Sequence, residues 1–191
     1  MPAVSLVIPV YNSEEFLAEC LGSVVGQTFR DLEIICVDDA STDSSPDILA
    51  RFAARDERVR VITQDHGGQA AARENGLGLA RGEFVMFLDN DDLFEPTMIE
   101  EAYGRSTADG ADITVFKIRY FDANTGEATV PEWVLRMDLI PEVRPFNRLS
   151  MPSAFFLAFT PALWNKLFRR AFLVAHDIHF RPGLRFTDDL A

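Results

Sequence analysis

The sequence predicts an α/β fold with a mostly parallel central sheet, helices on both of its faces, and a smaller mixed region after it. Short, near-continuous apolar runs of strand length alternate with longer amphipathic runs as far as Asp89. A strand buried on both faces reads as continuous apolar sequence rather than as alternation. Each run also ends in polar or acidic residues, and the regular rhythm breaks down past Pro96. Strands alternating with helices build parallel sheets through right-handed crossovers.

VSLVIPV, Val4 to Val10, is the first run. In the following NSEEFLAECLGSVVGQT, Phe16, Leu17, Cys20, Leu21, Val24 and Val25 share one helical face, and Asn12 or Ser13 is the expected N-cap ahead of Glu14 and Glu15. LEIICVDD, Leu32 to Asp39, is the second strand, and STDSSPDILARFAAR opens a helix with Ser/Asp caps and a first-turn proline. RVRVIT, Arg58 to Thr63, is the third strand. GGQAAARENGLGLARG predicts a helix around Ala70 to Ala80 that closes at Gly82, and EFVMFLD is the fourth strand. PTMIEEAYGRSTADG then reads as helix with Pro96 in its first turn, and ADITVFKIRYFD as a strand turning at Asn124 to Gly126. Pro131 to Pro152 lacks periodicity and predicts a long loop, after which ALWNKLFRRAFLVAHDIHF resumes a helical rhythm. SAFFLAFTPALW, Ser153 to Trp164, is interrupted by Thr160 and Pro161 and is too short to cross a bilayer; burial is the expectation, a lipid-facing patch the alternative.

Composition narrows the function classes. A chain of 191 residues with 48% hydrophobic content supports one substantial core. The net charge of −12, from 18 basic and 30 acidic residues, argues against nucleic acid or an anionic membrane as the main partner. It also means that an anionic ligand needs a cation to neutralise its site. Cys20 and Cys36 lack CxxC spacing and read as reduced, buried thiols. The opening MPAVSLVIPV has no basic n-region, so no signal peptide and a cytoplasmic location are expected.

Ligands of parallel α/β sheets sit at the carboxyl ends of the strands. Tyr11 and Asn12 follow the first strand, Asp38 and Asp39 the second, Gln64 and Asp65 the third, and Asp89 to Asp92 the fourth. No GxGxxG follows the first strand and no GxxxxGK[ST] is present, so a dinucleotide fingerprint and a P-loop are both excluded. DNDDLFEP fails as a calcium loop because Phe94 stands where glycine is required. Asp89 and Asp91, two residues apart at a strand end, suit Mg²⁺ or Mn²⁺ bridging to phosphates. A purely capping role suits one acid, Asp92, whereas three clustered acids repel one another unless a cation joins them.

VSLVIPVYNSEEFLAECLGSVVGQTFRDLEIICVDDASTDSSPDIL, followed by GGQAAARENGLGLARGEFVMFLDNDD, resembles the family 2 inverting glycosyltransferases of GT-A (Rossmann-like) fold and bacterial cell-surface polysaccharide type. The resemblance resumes at WNKLFRR and FTDD. It implies a single GT-A domain with a nucleotide-sugar half over residues 1–110 and an acceptor-side half over 111–191. In such enzymes Pro9, Tyr11, Asn12 and Asp39 hold the base, Tyr11 as a wall of the pocket and Asp39 as acceptor from uracil N3–H, a charge-assisted bond. Thymine and guanine carry comparable N–H groups, so UDP-sugars are favoured without being singled out. On residue type alone, Tyr11 also reads as a core phenol, Asp38 as a turn residue and Arg73 as a surface helix arginine.

The resemblance further places Arg73 near the donor, Asp91 as direct metal ligand, Asp89 at the ribose or in the metal shell, and Asn90 beside them. FTDDLA resembles the motif whose second acid is the catalytic base, which maps to Asp189, with Asp188 where glutamate is usual. One carboxylate suffices for inversion, because it takes the acceptor hydroxyl's proton while the metal stabilises the departing diphosphate. The implied partners are a nucleoside-diphosphate sugar and a sugar or lipid-linked acceptor. The family runs on past this motif whereas this sequence stops two residues after Asp189. A truncated acceptor side is therefore expected, with peripheral membrane association through the missing part. The alternatives are a silent nucleotide-sugar-binding module and a nucleotidyltransferase, the latter disfavoured by YNSEEF where a glycine-rich basic loop is needed. His66 beside Gly67 and Gly68 reads as a pocket or loop residue. His176 and His179 lack a third zinc ligand, and Trp133 and Trp164 read as packing or sugar-stacking residues.

Overall fold

The computed structural model describes residues 1–122 and 125–181. Four parallel strands form its centre: β1 (Val4–Val10), β2 (Leu32–Asp38), β3 (Val59–Thr63) and β4 (Phe84–Phe87). They are linked by α1 (Leu17–Val25), α2 (Ser45–Ala53) and α3 (Gln69–Leu79). After α4 (Met98–Asp109), β5 (Ile113–Val115) forms one edge of the sheet, and β8 (Lys166–Arg169) fits antiparallel between β5 and β4. The strand order is β3-β2-β1-β4-β8-β5. A two-stranded ribbon of β6 (Tyr120–Phe121) and β7 (Ala128–Thr129) stands apart, and the single-turn α5 (Phe155–Ala158) and short α6 (Arg170–Ala175) complete the described strands and α-helices.

The pleat sorts the core into two layers, because successive side chains of a strand point to opposite faces. Val4, Leu6, Ile8 and Val10 of β1, with Ile34, Cys36, Phe84 and Met86, pack on the face covered by α1, α2 and α4. Val7, Ile35, Val37, Val85 and Phe87 pack on the other, against α3 and α6. Both cysteines are buried free thiols; burial pushes Cys20 up strongly and Cys36 up to about 12, so both stay protonated.

At the amino end of the sheet one polar cluster replaces apolar packing. Glu33 accepts from Ser5 Oγ at 2.7 Å, from the Arg81 amide at 2.8 Å and from the Arg81 guanidinium at 2.8 and 3.0 Å. Burial raises this carboxyl's pKa, but the Ser5 and Arg81 hydrogen bonds outweigh it and hold the group below the ordinary glutamate range.

Four expectations are corrected. The α1 N-cap is neither Asn12 nor Ser13: the Ser13 N–H goes to Ser45 Oγ at 2.9 Å, the residue opens a turn, and the helix begins at Leu17. ADITVFKIRYFD divides into β5 and β6, because Phe116 leaves the sheet to exchange hydrogen bonds with buried Asn165. KLFR is a strand, not helix, since Leu167 and Phe168 are buried on opposite faces between two partner strands. SAFFLAFTPALW is not a buried helix: α5 makes one turn and Phe156 is 86% exposed.

The close contact between α3 and β1 generates the first prediction. A Cβ on Gly76 would lie 2.3 Å from Val7 Cγ1, inside a packed layer with no slack. Gly76→Ala is expected to destabilise the fold by about 1–3 kcal/mol despite alanine's better helix propensity. Denaturant unfolding checks this, and a stabilised variant would mean that α3 is free to shift outward.

Candidate functional site

β1 lies between β2 and β4, so the chain's winding direction reverses beside it and a crevice opens at the carboxyl ends of these strands. Three loops meet there. The loop after β1 is stitched to the loop after β2: Asn12 Oδ1 accepts from the Thr42 amide at 2.8 Å, the Asn12 amide donates to Ser41 Oγ at 3.1 Å, and Asp43 accepts from the Glu14 amide at 3.0 Å. Asn12 sits at φ 48°, a left-handed conformation that asparagine tolerates better than most residues. Asp38 accepts from the Ser41 amide at 3.1 Å, the turn role expected of it.

Asp39 is buried and anchors the third loop. Its Oδ1 accepts from the Gly67 amide at 2.8 Å and Gln64 Nε2 at 2.7 Å, and its Oδ2 from the Gly68 amide at 2.8 Å. His66 Nδ1 lies 2.9 Å from the same Oδ2, and the His66 ring packs on Tyr11 with centroids 4.4 Å apart. Tyr11 is 47% exposed, so it is no core phenol. The backbone turn held by Asp39 leads directly into α3, with Gly68 at φ 84°, a conformation glycine adopts without a Cβ penalty.

Arg73 is 1% exposed, not a surface arginine, and its Nη2 donates to Asp89 Oδ1 at 2.8 Å. Gln69 Nε2 donates to the same oxygen at 3.3 Å. Asn90 Nδ2 donates to the Pro9 carbonyl at 2.8 Å, which ties the end of β1 to the segment beyond β4. The structure therefore brings Pro9, Tyr11, Asn12, Asp39, Arg73, Asp89, Asn90 and Asp91 to one sheet edge. Asp189 lies outside the described residues.

The acids beyond β4 fit a divalent ion. Asp91 is exposed. Burial, followed by the charges of Asp89 and Asp91, pushes Asp92 up to about 6, the response of a carboxyl crowded by like charge. Among the described residues no three acid, histidine or cysteine side chains converge into a closed cage. Mg²⁺ and Mn²⁺ do not need one: such ions are commonly held by one or two carboxylates plus substrate phosphates.

Sequence reasoning assigned no role to three contributors, although it set Gln64 at this edge. Gln64 and Gln69 act through their amides, and glutamine carries no motif; the hint was their place flanking the Gly67-Gly68 turn. The third is Glu74, one residue beyond Arg73, which accepts from the Phe180 amide at 2.9 Å and pairs with His179 Nδ1 at 2.8 Å. Phe180 also packs edge-on against Phe87 of β4, centroids 4.8 Å apart. His176 contacts Phe172 instead of sharing a site with His179, and Trp133 contacts the exposed Tyr120.

A doubly wound sheet with stitched loops and paired acids at its switch point defines a ligand-binding α/β protein. Residues 5–175 match Glycosyl transferase family 2, and the chain belongs to that family. Glycosyltransferase GlyG of Streptococcus pneumoniae is 33% identical over 97% of this chain and 62% of its own length. Cholesterol galactosyltransferase of Borreliella burgdorferi is 34% identical over 92% of this chain and 50% of its own length. The crystal structure of S. aureus TarS 1-349 in complex with UDP-GlcNAc matches with a TM-score of 0.81 at 26% identity, covering 100% of this chain and 51% of that one. The chain thus spans about half the length of the relatives it matches.

The Glu74–His179 contact yields a pH prediction. Hydrogen bonds to Glu74 and then Asp177 raise the His179 pKa above its ordinary 6.5. A raised folded-state value means that the pair's contribution is fully present below pH 6.5 and is lost as pH rises through the folded value. The His179 ring protons, followed by NMR, are expected to titrate above 6.5, and Glu74→Gln to lower that midpoint. An unchanged midpoint would exclude the contact in solution.

Proposed function

We propose that this chain is the donor-binding and catalytic part of a metal-dependent, inverting glycosyltransferase. It transfers a sugar from a nucleoside-diphosphate donor, UDP-sugar favoured, to a hydroxyl of a sugar or lipid-linked acceptor, in cell-surface polysaccharide synthesis at the cytoplasmic face of the membrane. The observation that carries the reading is the buried Arg73–Asp89 pair beside exposed Asp91, at the switch point of a family 2 chain. The UDP-GlcNAc bound by the TarS structure supports a uridine donor.

In this reading Tyr11 walls the base and Asp39 accepts its ring N–H. Arg73 fixes Asp89, which leaves Asp91 as direct ligand and Asp89 at the ribose or in the ion's shell. A bound Mn²⁺ or Mg²⁺ supplies charge neutralisation of the diphosphate, which a chain of net charge −12 lacks at this edge. Asn90, bonded to Pro9, keeps the segment beyond β4 against β1. Asp189 takes the acceptor hydroxyl's proton as the new C1–O bond forms on one face and the C1–O bond to the diphosphate breaks on the other, so the anomeric configuration inverts. Such general-base help is worth about 10²–10⁴ in rate.

Calorimetric titration of UDP, GDP and dTDP, each with and without Mn²⁺, tests the donor half. UDP is expected to bind only with Mn²⁺, and Asp91→Asn to weaken it by about tenfold or more. Equal affinity without the metal or in the variant would sink the metal assignment, and absence of any nucleotide binding would sink the donor site. In an active preparation Asp189→Asn is expected to lower kcat by about 10²–10⁴ while UDP affinity is retained. Nucleotide binding without sugar transfer would point instead to a silent binding module.

A further inference from the structure

We infer that His66 occupies the nucleobase seat and must swing out before a donor binds. The inference rests on the donor-site reading above. A base that packs on Tyr11 and donates a ring N–H to Asp39 requires two partners, and His66 holds both of them. Its ring centroid is 4.4 Å from that of Tyr11, and its Nδ1 is 2.9 Å from Asp39 Oδ2 and 3.2 Å from the Asp39 carbonyl oxygen.

The Asp39 carboxylate has about four acceptor positions. Three donors bond it, the Gly67 and Gly68 amides and Gln64 Nε2. The His66 ring lies over what remains, its Nδ1 2.9 Å from Oδ2 while it bonds the Asp39 carbonyl oxygen. A base N–H therefore has to displace that ring or one of the three donors. The two amides are backbone, fixed by the turn into α3 with Gly68 at φ 84°. Gln64 is braced from behind, since Asn75 Nδ2 donates to its Oε1 at 3.0 Å. His66 remains, with its side chain 57% exposed and its polar and ring contacts confined, among the described residues, to Tyr11 and Asp39. It is the one group there that leaves without breaking the loop, and its departure uncovers Tyr11 in the same motion.

A closed seat lowers apparent affinity by the fraction of molecules in which it is open. Removal of the plug therefore strengthens binding, and the gain falls on association, because the base no longer waits for the ring to leave. A histidine that merely touched the bound base would have the opposite effect.

The test measures UDP binding with Mn²⁺, by calorimetry and by surface plasmon resonance, for wild type, His66→Ala and His66→Phe. His66→Ala is expected to bind about threefold to tenfold more tightly, with the change in kon. His66→Phe, which keeps a ring for Tyr11 but has no nitrogen for Asp39, is expected to fall between the two and guards against a loop defect peculiar to alanine. Wild-type binding with equal or weaker binding by both variants, or a gain confined to koff, overturns the plug while leaving the donor site standing. Failure of wild type and both variants to bind any nucleotide overturns the donor site, and the plug with it.

Discussion

The geometry of the site depends on one ion pair, buried Arg73 with half-buried Asp89. A guanidinium that is 1% exposed needs its partner, because an unpaired charge at that depth is strongly destabilising. The pair ties the first turns of α3 to the end of β4, and with it the direction in which the following acids leave the sheet. The helix that carries Arg73 lies close against β1, an approach that the missing side chain of Gly76 permits. Close packing in one core layer and the ion pair at the sheet edge thus belong to one helix.

Electrostatics sets a second level of organisation. Asp89 is paired with Arg73, whereas burial, followed by the charges of Asp89 and Asp91, raises the pKa of Asp92. At the opposite end of the sheet Glu33 is also buried, but Ser5 and Arg81 surround it with donors and its pKa falls. The two acidic regions therefore move in opposite directions. The one whose charge is satisfied internally is structural, and the other is where the proposed cation would add most.

The sheet from β1 to β4 was legible because its signal is local: continuous apolar runs, caps and prolines act within a few residues of where they stand. The acids beyond β4 were legible for the same reason. What escaped was non-local. Lys166 to Arg169 became a strand because β4 and β5 offered two edges, although Arg169 leads straight into the helical α6 that supplied the apparent rhythm. Ser13 does not cap α1, because its hydroxyl donates to the Tyr11 carbonyl and its amide goes to a hydroxyl 32 positions away. Arg73 gave no sign of burial, since the letters of an amphipathic helix do not say how deep its long side chains reach. The apolar letters of Phe156 and Leu157 likewise failed to predict exposure, because burial belongs to the neighbours an element finds.

Asp39 links these levels. Its carboxylate holds the Gly67-Gly68 turn, and that turn sets the first residues of α3, which carries Gln69 and Arg73 to Asp89 and Glu74 to Phe180. If a base N–H takes the position of His66, as proposed, it joins the same carboxylate that supports the helix. Base recognition and the placement of the acids are then mechanically continuous, through one loop and about one turn of helix. The short polar loop after β3 thus acts through the helix it positions, whose arginine secures the acid at the end of β4.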